Sequence, residues 1–282
     1  MHGMRRTALD RDPRAEHVLG MSRRKFLSLV TSVVAAESFA SSGWARTPPS
    51  APEALPLAKA AKIRGICFDL FTIFDPRSVA RAADSFAPGR GQELWNAWKV
   101  RQFEYSWLRA TARRYLDFEI VTDQALAYAA NELQIPLSPE ARRQLVGAYS
   151  ALDPWPDTRA ALLAWKKQGL KLAPLANYSP KMIRQLIARN ALEGLFDTLI
   201  STDAAQTYKP DPRAYALGPA RLGLSREQIA FAAFGGWDAA GAKWFGFPTY
   251  WLNRLNVTAE QLVLSDATGS DLAGLASWIA SR

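Results

Sequence analysis

The chain has 282 residues, 49% of them hydrophobic and 22% charged, and a formal net charge of +9. That length suits one domain, or one domain carrying an insertion, with ample apolar material for a core. The two histidines, His2 and His17, fall in a leader expected to be removed, and there is one cysteine, which together exclude Ser-His-Asp or Cys-His catalysis, imidazole-bound zinc, internal disulfides and thiolate metal cages.

Ser22-Arg23-Arg24-Lys25-Phe26-Leu27 precedes an apolar run to Ala36 and small residues up to Ala45. A basic start, a short apolar centre and a Gly43-x-Ala45 end read as a secretory signal over residues 1–45. The paired arginines before Phe-Leu point to twin-arginine export and a periplasmic protein that meets the membrane only in transit. Thr31, Ser32 and Glu37 break the run, which falls short of the roughly 20 apolar residues a span needs. Residues 1–45 carry seven Lys/Arg and four Asp/Glu, which leaves about +6 of the +9 for the rest. Beyond residue 45 no Lys/Arg run exceeds two, so a solvated basic surface that attracts small anions is expected, and not a nucleic-acid site. Residues 46–61, Pro- and Ala-rich, read as a linker.

Lys62–Phe68 is a short apolar run that ends on Asp69, like a strand delivering a carboxylate at its tip. Leu170–Ala176 ends on Asn177, Phe196–Ser201 leads towards Lys209, Ile229–Phe234 precedes Gly235-Gly236-Trp237-Asp238, and Pro248–Leu252 makes a fifth strand. Helical patterns at Asp157–Gln168, Pro180–Asn190, Pro212–Leu222 and Ala239–Phe245 alternate with them. This is the α/β signature of a parallel sheet covered by helices on both faces. In such folds polar residues just past the strand ends gather in one crevice, so Asp69, Asn177, Lys209 and Asp238 form the candidate site. Residues 78–152 break the alternation. They read as helical throughout, notably Gly91–Ala112 and Ile120–Leu133, and are rich in aromatics: Trp95, Trp98, Phe103, Tyr105, Trp107, Tyr115 and Phe118. An all-helical insert here suits a cap domain, with two or three of those rings lining a pocket and the rest packing a cap core or a subunit interface. The expected division is core at 62–77 and 153–282, cap at 78–152.

The order of Asp69, helical insert, Leu175-Ala176-Asn177, Tyr208-Lys209-Pro210-Asp211 and Gly236-Trp237-Asp238-Ala239-Ala240-Gly241-Ala242 resembles the haloacid dehalogenase superfamily. Longer stretches, FEYSWLRA at 103–110, YKPDPRAY at 208–215 and WDAAGAKWFGFPT at 237–249, are similar to the type II L-2-haloacid dehalogenases. The resemblance implies a Rossmann-like core with an inserted helical cap, hydrolysis of short 2-haloalkanoic acids without metal or cofactor, and a homodimer through the cap. It implies that Asp69 attacks the halogen-bearing carbon to form an aspartyl ester, which water hydrolyses to a 2-hydroxy acid. A carboxylate is a weak nucleophile, so the site must position and desolvate it. Lys209 would neutralise and orient Asp69, and Asp238 would orient the lysine and the water, although an Asp there also suits a helix cap. Lys99, Asn177, Phe71, Thr72, Tyr215 and Trp237 fall at substrate- or halide-binding positions, Tyr215 and Trp237 being equally readable as core.

Several positions depart from the family. Lys99 stands where a halide-gripping arginine is usual, and lysine lacks the planar fork. Ala176 replaces a serine, Ala233 and Gly235 replace a serine and an asparagine, and FDLFTIFD at 68–75 is one residue short before Thr72. These changes imply altered substrate or halide preference. The alternatives are a weak or inactive small-anion-binding protein on the same fold, and a phosphatase of the superfamily. The phosphatase fits poorly, because Phe71 stands where a second Mg²⁺-binding aspartate is needed and a hard cation wants several oxygens.

Overall fold

The computed structural model describes residues 62–282; the expected leader (1–45), the linker (46–61), His2 and His17 lie outside the described residues. The strands are β1 (Gly65–Phe68), β2 (Phe74–Asp75), β3 (Asp153–Pro154), β4 (Lys171–Ala176), β5 (Ile200–Ser201), β6 (Ile229–Ala233), β7 (Thr249–Leu252) and β8 (Ala267–Gly269). All four residues of β1 are buried. A strand with no polar face needs cover on both sides, which is what the middle of a parallel sheet provides. β1 accordingly pairs in parallel with β4 on one side and β6 on the other, in the six-stranded order β5-β4-β1-β6-β7-β8.

Side chains alternate across the sheet, and the core divides with them. Ile66 and Phe68 pack on one face with Leu162 and Trp165 of the helix Thr158–Lys167, Leu186 of Pro180–Arg189 and Leu275 of Leu272–Ala280. Cys67 packs on the other with Tyr215 and Leu222 of the helix Pro212–Leu222 and Ala239 and Ala242 of Gly236–Phe245. Local signals set the helix starts. Ser179 and Asp211 accept from the backbone N–H groups of Met182 and Arg213, with Pro180 and Pro212 in the first helical position.

The expected third strand is much shorter than its apolar run. Only Ile200–Ser201 pairs with β4. Upstream, the Asp197 carboxylate accepts from the Leu172 N–H at 2.8 Å, and the Asp197 N–H reaches Leu172 O at 2.8 Å. A side chain there takes the place of strand pairing. The last helix of the alternation starts at Gly236, earlier than the expected Ala239, with Gly235 at its N-cap. β8 and the helix Leu272–Ala280 extend the sheet and its cover past the motifs.

Between β2 and β3 lie only helices among the described residues: Arg77–Asp84, Gly91–Ala112, Phe118–Glu132 and Pro139–Ala148. β2 and β3 pair antiparallel, Phe74 with Pro154 and Asp75 with Asp153, and form the stem on which the insert stands. Its two longest helices meet through Trp98, whose Nε1 donates to Thr122 O at 2.8 Å, and through Gln102, whose amide donates to the Thr122 hydroxyl at 2.6 Å. Gly91 opens the longest helix hard against the preceding one: a Cβ there would sit 2.4 Å from Asp84 N and 2.7 Å from Ala80 O. These are backbone atoms that a rotamer change cannot move. Gly91→Ala is expected to cost about 1–3 kcal/mol by overpacking, read as a Tm lowered by roughly 3–10 °C in thermal denaturation.

Candidate active site

Asp69 directly follows β1, and its N–H extends the ladder by one bond to Ala232 O at 2.9 Å. Its backbone then turns into the short helix Leu70–Ile73, which it caps: Oδ1 accepts from the Phe71 N–H at 2.9 Å. The second oxygen, Oδ2, accepts from Lys209 Nζ at 2.7 Å. The same ammonium donates to Asp238 Oδ2, also at 2.7 Å, and Tyr215 OH donates to Asp238 Oδ1 at 2.7 Å. Segments that follow three separate strands thus meet in one chain of charge-assisted hydrogen bonds.

Asp69, at the tip of this chain, is its most exposed member, and Lys209 also borders the cavity. Lys209 is 1% and Asp238 0% exposed, whereas the Asp69 side chain keeps 15% of its surface. Burial by itself would strip Lys209 of its proton, but the carboxylates of Asp238 and Asp69 outweigh it and hold its pKa above the ordinary lysine value. Burial drives Asp238 the other way for a carboxyl, up to about 6, because Lys209 offsets it only in part and Asp69 adds like-charge repulsion. Asp238 therefore sits behind the lysine and acts on it. Its side chain makes no cap bond, so of the two readings open in the sequence the structure shows the lysine contact and not the helix cap.

Asn177, just past β4, accepts the Lys209 N–H on Oδ1 at 2.9 Å, with Thr202 Oγ1 at 3.4 Å. That acceptance fixes the amide orientation and leaves Nδ2 as a donor. A cavity of about 240 Å³ opens above Asp69 between core and cap. The core supplies Phe71, Asn177, Phe234 and Trp237 to its wall, and the cap supplies Trp95, Lys99, Phe103 and Phe118. Three cap aromatics thus line the pocket, while Trp98 is buried in the cap core. Lys99 holds its ammonium 4.4 Å from the face of Trp95 and 3.5 Å from Asn96 Oδ1. No carboxylate pairs with it among the described residues, and burial lowers its pKa below the ordinary lysine value.

The structure therefore brings Asp69, Lys209 and Asp238 into one network and places Lys99, Asn177, Phe71 and Trp237 on the cavity. Two expected substrate contacts do not reach it. Thr72 is fully buried and donates its hydroxyl to Asp69 O at 2.6 Å. Tyr215 is likewise buried, and its hydroxyl is committed to Asp238. Both hold the network from behind. Of the departures, Ala176 and Gly235 border the cavity, while Ala233 is buried in β6.

Supports that no sequence pattern marked complete the site. The carbonyls of the Phe71–Ile73 turn accept from Trp155 Nε1 (to Phe71 O, 2.9 Å), Arg254 Nε (to Thr72 O, 3.0 Å) and the Thr158 hydroxyl (to Ile73 O, 2.7 Å). Arg254 is itself clamped by Asp157 at 2.9 Å. Thr72 and Arg254 are 182 residues apart, so only the folded chain reveals the contact. Tyr178 also lines the cavity; its place beside Asn177 was the one available signal.

Known proteins resemble the chain over most of its length. Residues 34–246 match the family model for haloacid dehalogenase-like hydrolases. An (S)-2-haloacid dehalogenase from Pseudomonas sp. (strain YL) is 42% identical over 201 residues, covering 71% of this chain and 87% of that protein. The crystal structure of an L-2-haloacid dehalogenase superposes with a TM-score of 0.76 at 38% identity, over 78% of this chain and 100% of that one. The L-2-haloacid dehalogenase of Xanthobacter autotrophicus with chloropropionic acid covalently bound superposes with a TM-score of 0.73 at 32% identity, over 78% and 99% of the two chains. The chain belongs to the haloacid dehalogenase-like hydrolases, in the L-2-haloacid dehalogenase-like group.

Removing the shared cation tests the network. Lys209→Ala leaves two carboxylates facing each other in a dry site and is expected to cost about 3–5 kcal/mol at neutral pH. Burial and the Asp69 charge already raise the Asp238 carboxyl above its unfolded value beside the lysine; without the lysine they act unopposed, so the penalty belongs to the ionised form. The Tm gap between wild type and variant should therefore be widest near pH 8 and narrow as the pH falls towards 4, measured by thermal denaturation across that range.

Proposed function

We propose that the protein hydrolyses the carbon–halogen bond of short 2-haloalkanoic acids through an ester on Asp69. The observation that carries this reading is the state of Asp69: a carboxylate at the floor of a mostly apolar cavity, oriented by the Phe71 N–H and by Lys209 Nζ at 2.7 Å. Attack by an Asp69 oxygen on C2 forms a C–O bond as the C–X bond breaks, and halide departs with the electron pair. Water then adds to the Asp69 carboxyl carbon, the bond from that carbon to the ester oxygen breaks, and the 2-hydroxy acid leaves. The product keeps the aspartate oxygen, Asp69 gains one from water, and one proton is released overall. Inversion at C2 follows from back-side attack.

Positioning and desolvation are what the site supplies. Holding nucleophile and carbon in line can be worth roughly 7–11 kcal/mol, and the aromatic cap excludes water that would otherwise solvate the carboxylate. Asp238, through its 2.7 Å contact, keeps Lys209 charged and in place. Lys99 is the cavity's cation without a carboxylate partner among the described residues and suits the substrate's negative charge or the departing halide. A compact ammonium there in place of a guanidinium supports a shifted halide preference.

Halide release from L-2-chloropropionate and fluoroacetate should be abolished by Asp69→Asn, and equal, background-level release by wild type and variant would refute the reading. Mass spectrometry after turnover in heavy-oxygen water should find label in the peptide carrying Asp69. Lys99→Ala should raise KM roughly 10- to 100-fold, the worth of one charge-assisted hydrogen bond. Activity should fall on the acid side with an apparent pKa near 6 as Asp238 takes up its proton and loosens Lys209, a limb that Asp238→Asn should remove from the pH profile of whatever activity remains.

A further inference from the structure

Tyr178 is a buried polar residue of the cavity whose hydroxyl nothing among the described residues employs. It lies two residues past the end of β4, and its carbonyl is anchored by the Ser201 hydroxyl at 2.7 Å. Its ring stacks on Phe118 with centroids 5.4 Å apart and meets Phe71 and Tyr149 edge-on at 6.2 and 6.0 Å. Backbone and ring are therefore both held, and the residue is 3% exposed. Its hydroxyl, in contrast, is buried with no hydrogen-bond partner among the described residues. Buried tyrosine hydroxyls nearly always find a partner, so an orphan on a cavity wall points to a ligand that supplies the missing bond.

The same wall narrows the chemistry of that ligand. Tyr178 shares the cavity with Lys99 and Asn177. Asn177 has its oxygen committed to Lys209 N–H and turns out a donor. Burial, with the nearby Tyr149 and the Asp69 charge adding to it, holds the phenol far above the ordinary tyrosine pKa, so it stays protonated and can donate. Beside Asp69 and Lys209, which pair with each other, the lining offers one ammonium, one amide and one phenol, all donors, and these match an oxyanion with a small apolar body. Ala176, on the same strand end, brings no hydroxyl of its own.

Resting on the dehalogenase reading above, we propose that Tyr178 is a further substrate-binding residue whose phenol donates a hydrogen bond to the carboxylate of the bound 2-haloacid. The ring is rigid, so the bond fixes the carboxylate against the cap and turns C2 towards Asp69. It replaces a short hydroxyl on the strand end with a long one reaching from the loop, and it makes the residue after Asn177 a determinant of specificity in this chain.

Tyr178→Phe removes the oxygen and keeps the ring. Three quantities are read on the full chain: the Kd for L-lactate by calorimetry, the steady-state constants for halide release from L-2-chloropropionate, and the Tm without ligand. The expected result is a lactate Kd and a KM each raised roughly tenfold or more, the effect of losing one hydrogen bond to a charged group, with Tm unchanged or slightly higher. An unchanged lactate Kd, or lactate that does not bind wild type at all, overturns the proposal. So does a Tm lowered by roughly 4 °C or more, or a variant that fails to fold, since either assigns the hydroxyl a structural bond. The two readings fail separately. Wild type that releases no halide while the variant loses lactate affinity refutes the dehalogenase and leaves the carboxylate contact standing. Wild type that releases halide with an unaltered variant refutes the role of Tyr178 alone.

Discussion

A single ammonium shared by two carboxylates away from water is the interaction around which the rest of this structure is arranged. Moving each ion out of water costs several kcal/mol even after relaxation. The attraction between them offsets that only when the geometry is close and every remaining lone pair is met. Lys209 therefore sits at 2.7 Å from both Asp69 and Asp238, and Tyr215 covers the far oxygen of Asp238. The backbone on either side is pinned as well, by Asn177 on the Lys209 N–H and by Trp107 Nε1, 3.3 Å from the Lys209 carbonyl. Two negative charges against one positive leave the network short of a cation, and the shortfall is expressed at the two ends. Asp238, fully enclosed, has its affinity for a proton raised; Asp69, at the open end, keeps an exposed face with which to react.

The cap turns that exposed face into a reactive one. Its stem is only two residue pairs wide, and much of its contribution is aromatic: Trp95, Phe103 and Phe118 close over Asp69 and leave Lys99 as the charge on that side. Ala176 and Gly235 bring no polar side chain to the core side of the cavity. Polar side chains reach the lining from elsewhere, among them Lys99 on the cap helix and Tyr178 in the loop beyond β4. The turn that carries Phe71 is held on its carbonyl side. Trp155, Thr158 and Arg254 take up its carbonyls, and Arg254 is held in turn by Asp157.

Much of the fold was legible because its signals are local. Short, mostly apolar runs marked β1, β4 and β6, the first two ending on Asp69 and Asn177, and Ser179-Pro180 and Asp211-Pro212 marked helix starts that the structure places at the same residues. Legibility failed where a side chain or a distant segment intervened. Phe196–Leu199 reads as a strand, but the Asp197 carboxylate takes the backbone partner that a strand would have used. Asp238 reads as a candidate cap, but the helix begins two residues before it and its oxygens are engaged by Lys209 and Tyr215. Thr72 and Tyr215 read as ligand contacts from their place in the motifs, while their hydroxyls are turned inward to Asp69 and Asp238.

The sequence by itself narrowed which chemistries were open: with no histidine beyond residue 17, no imidazole among residues 62–282 could activate a nucleophile. It also determined where the candidates would gather, because consecutive parallel strands deliver their C-terminal ends to one edge of the sheet. Tertiary structure alone decided what each candidate touches. Hydrogen bonds reach only about 3 Å, and the bonds that matter here join residues 29 and 140 positions apart. Whether a hydroxyl faces the cavity or the core, and which carboxylate remains free to react, depends on a few ångströms of packing that periodicity and spacing do not encode.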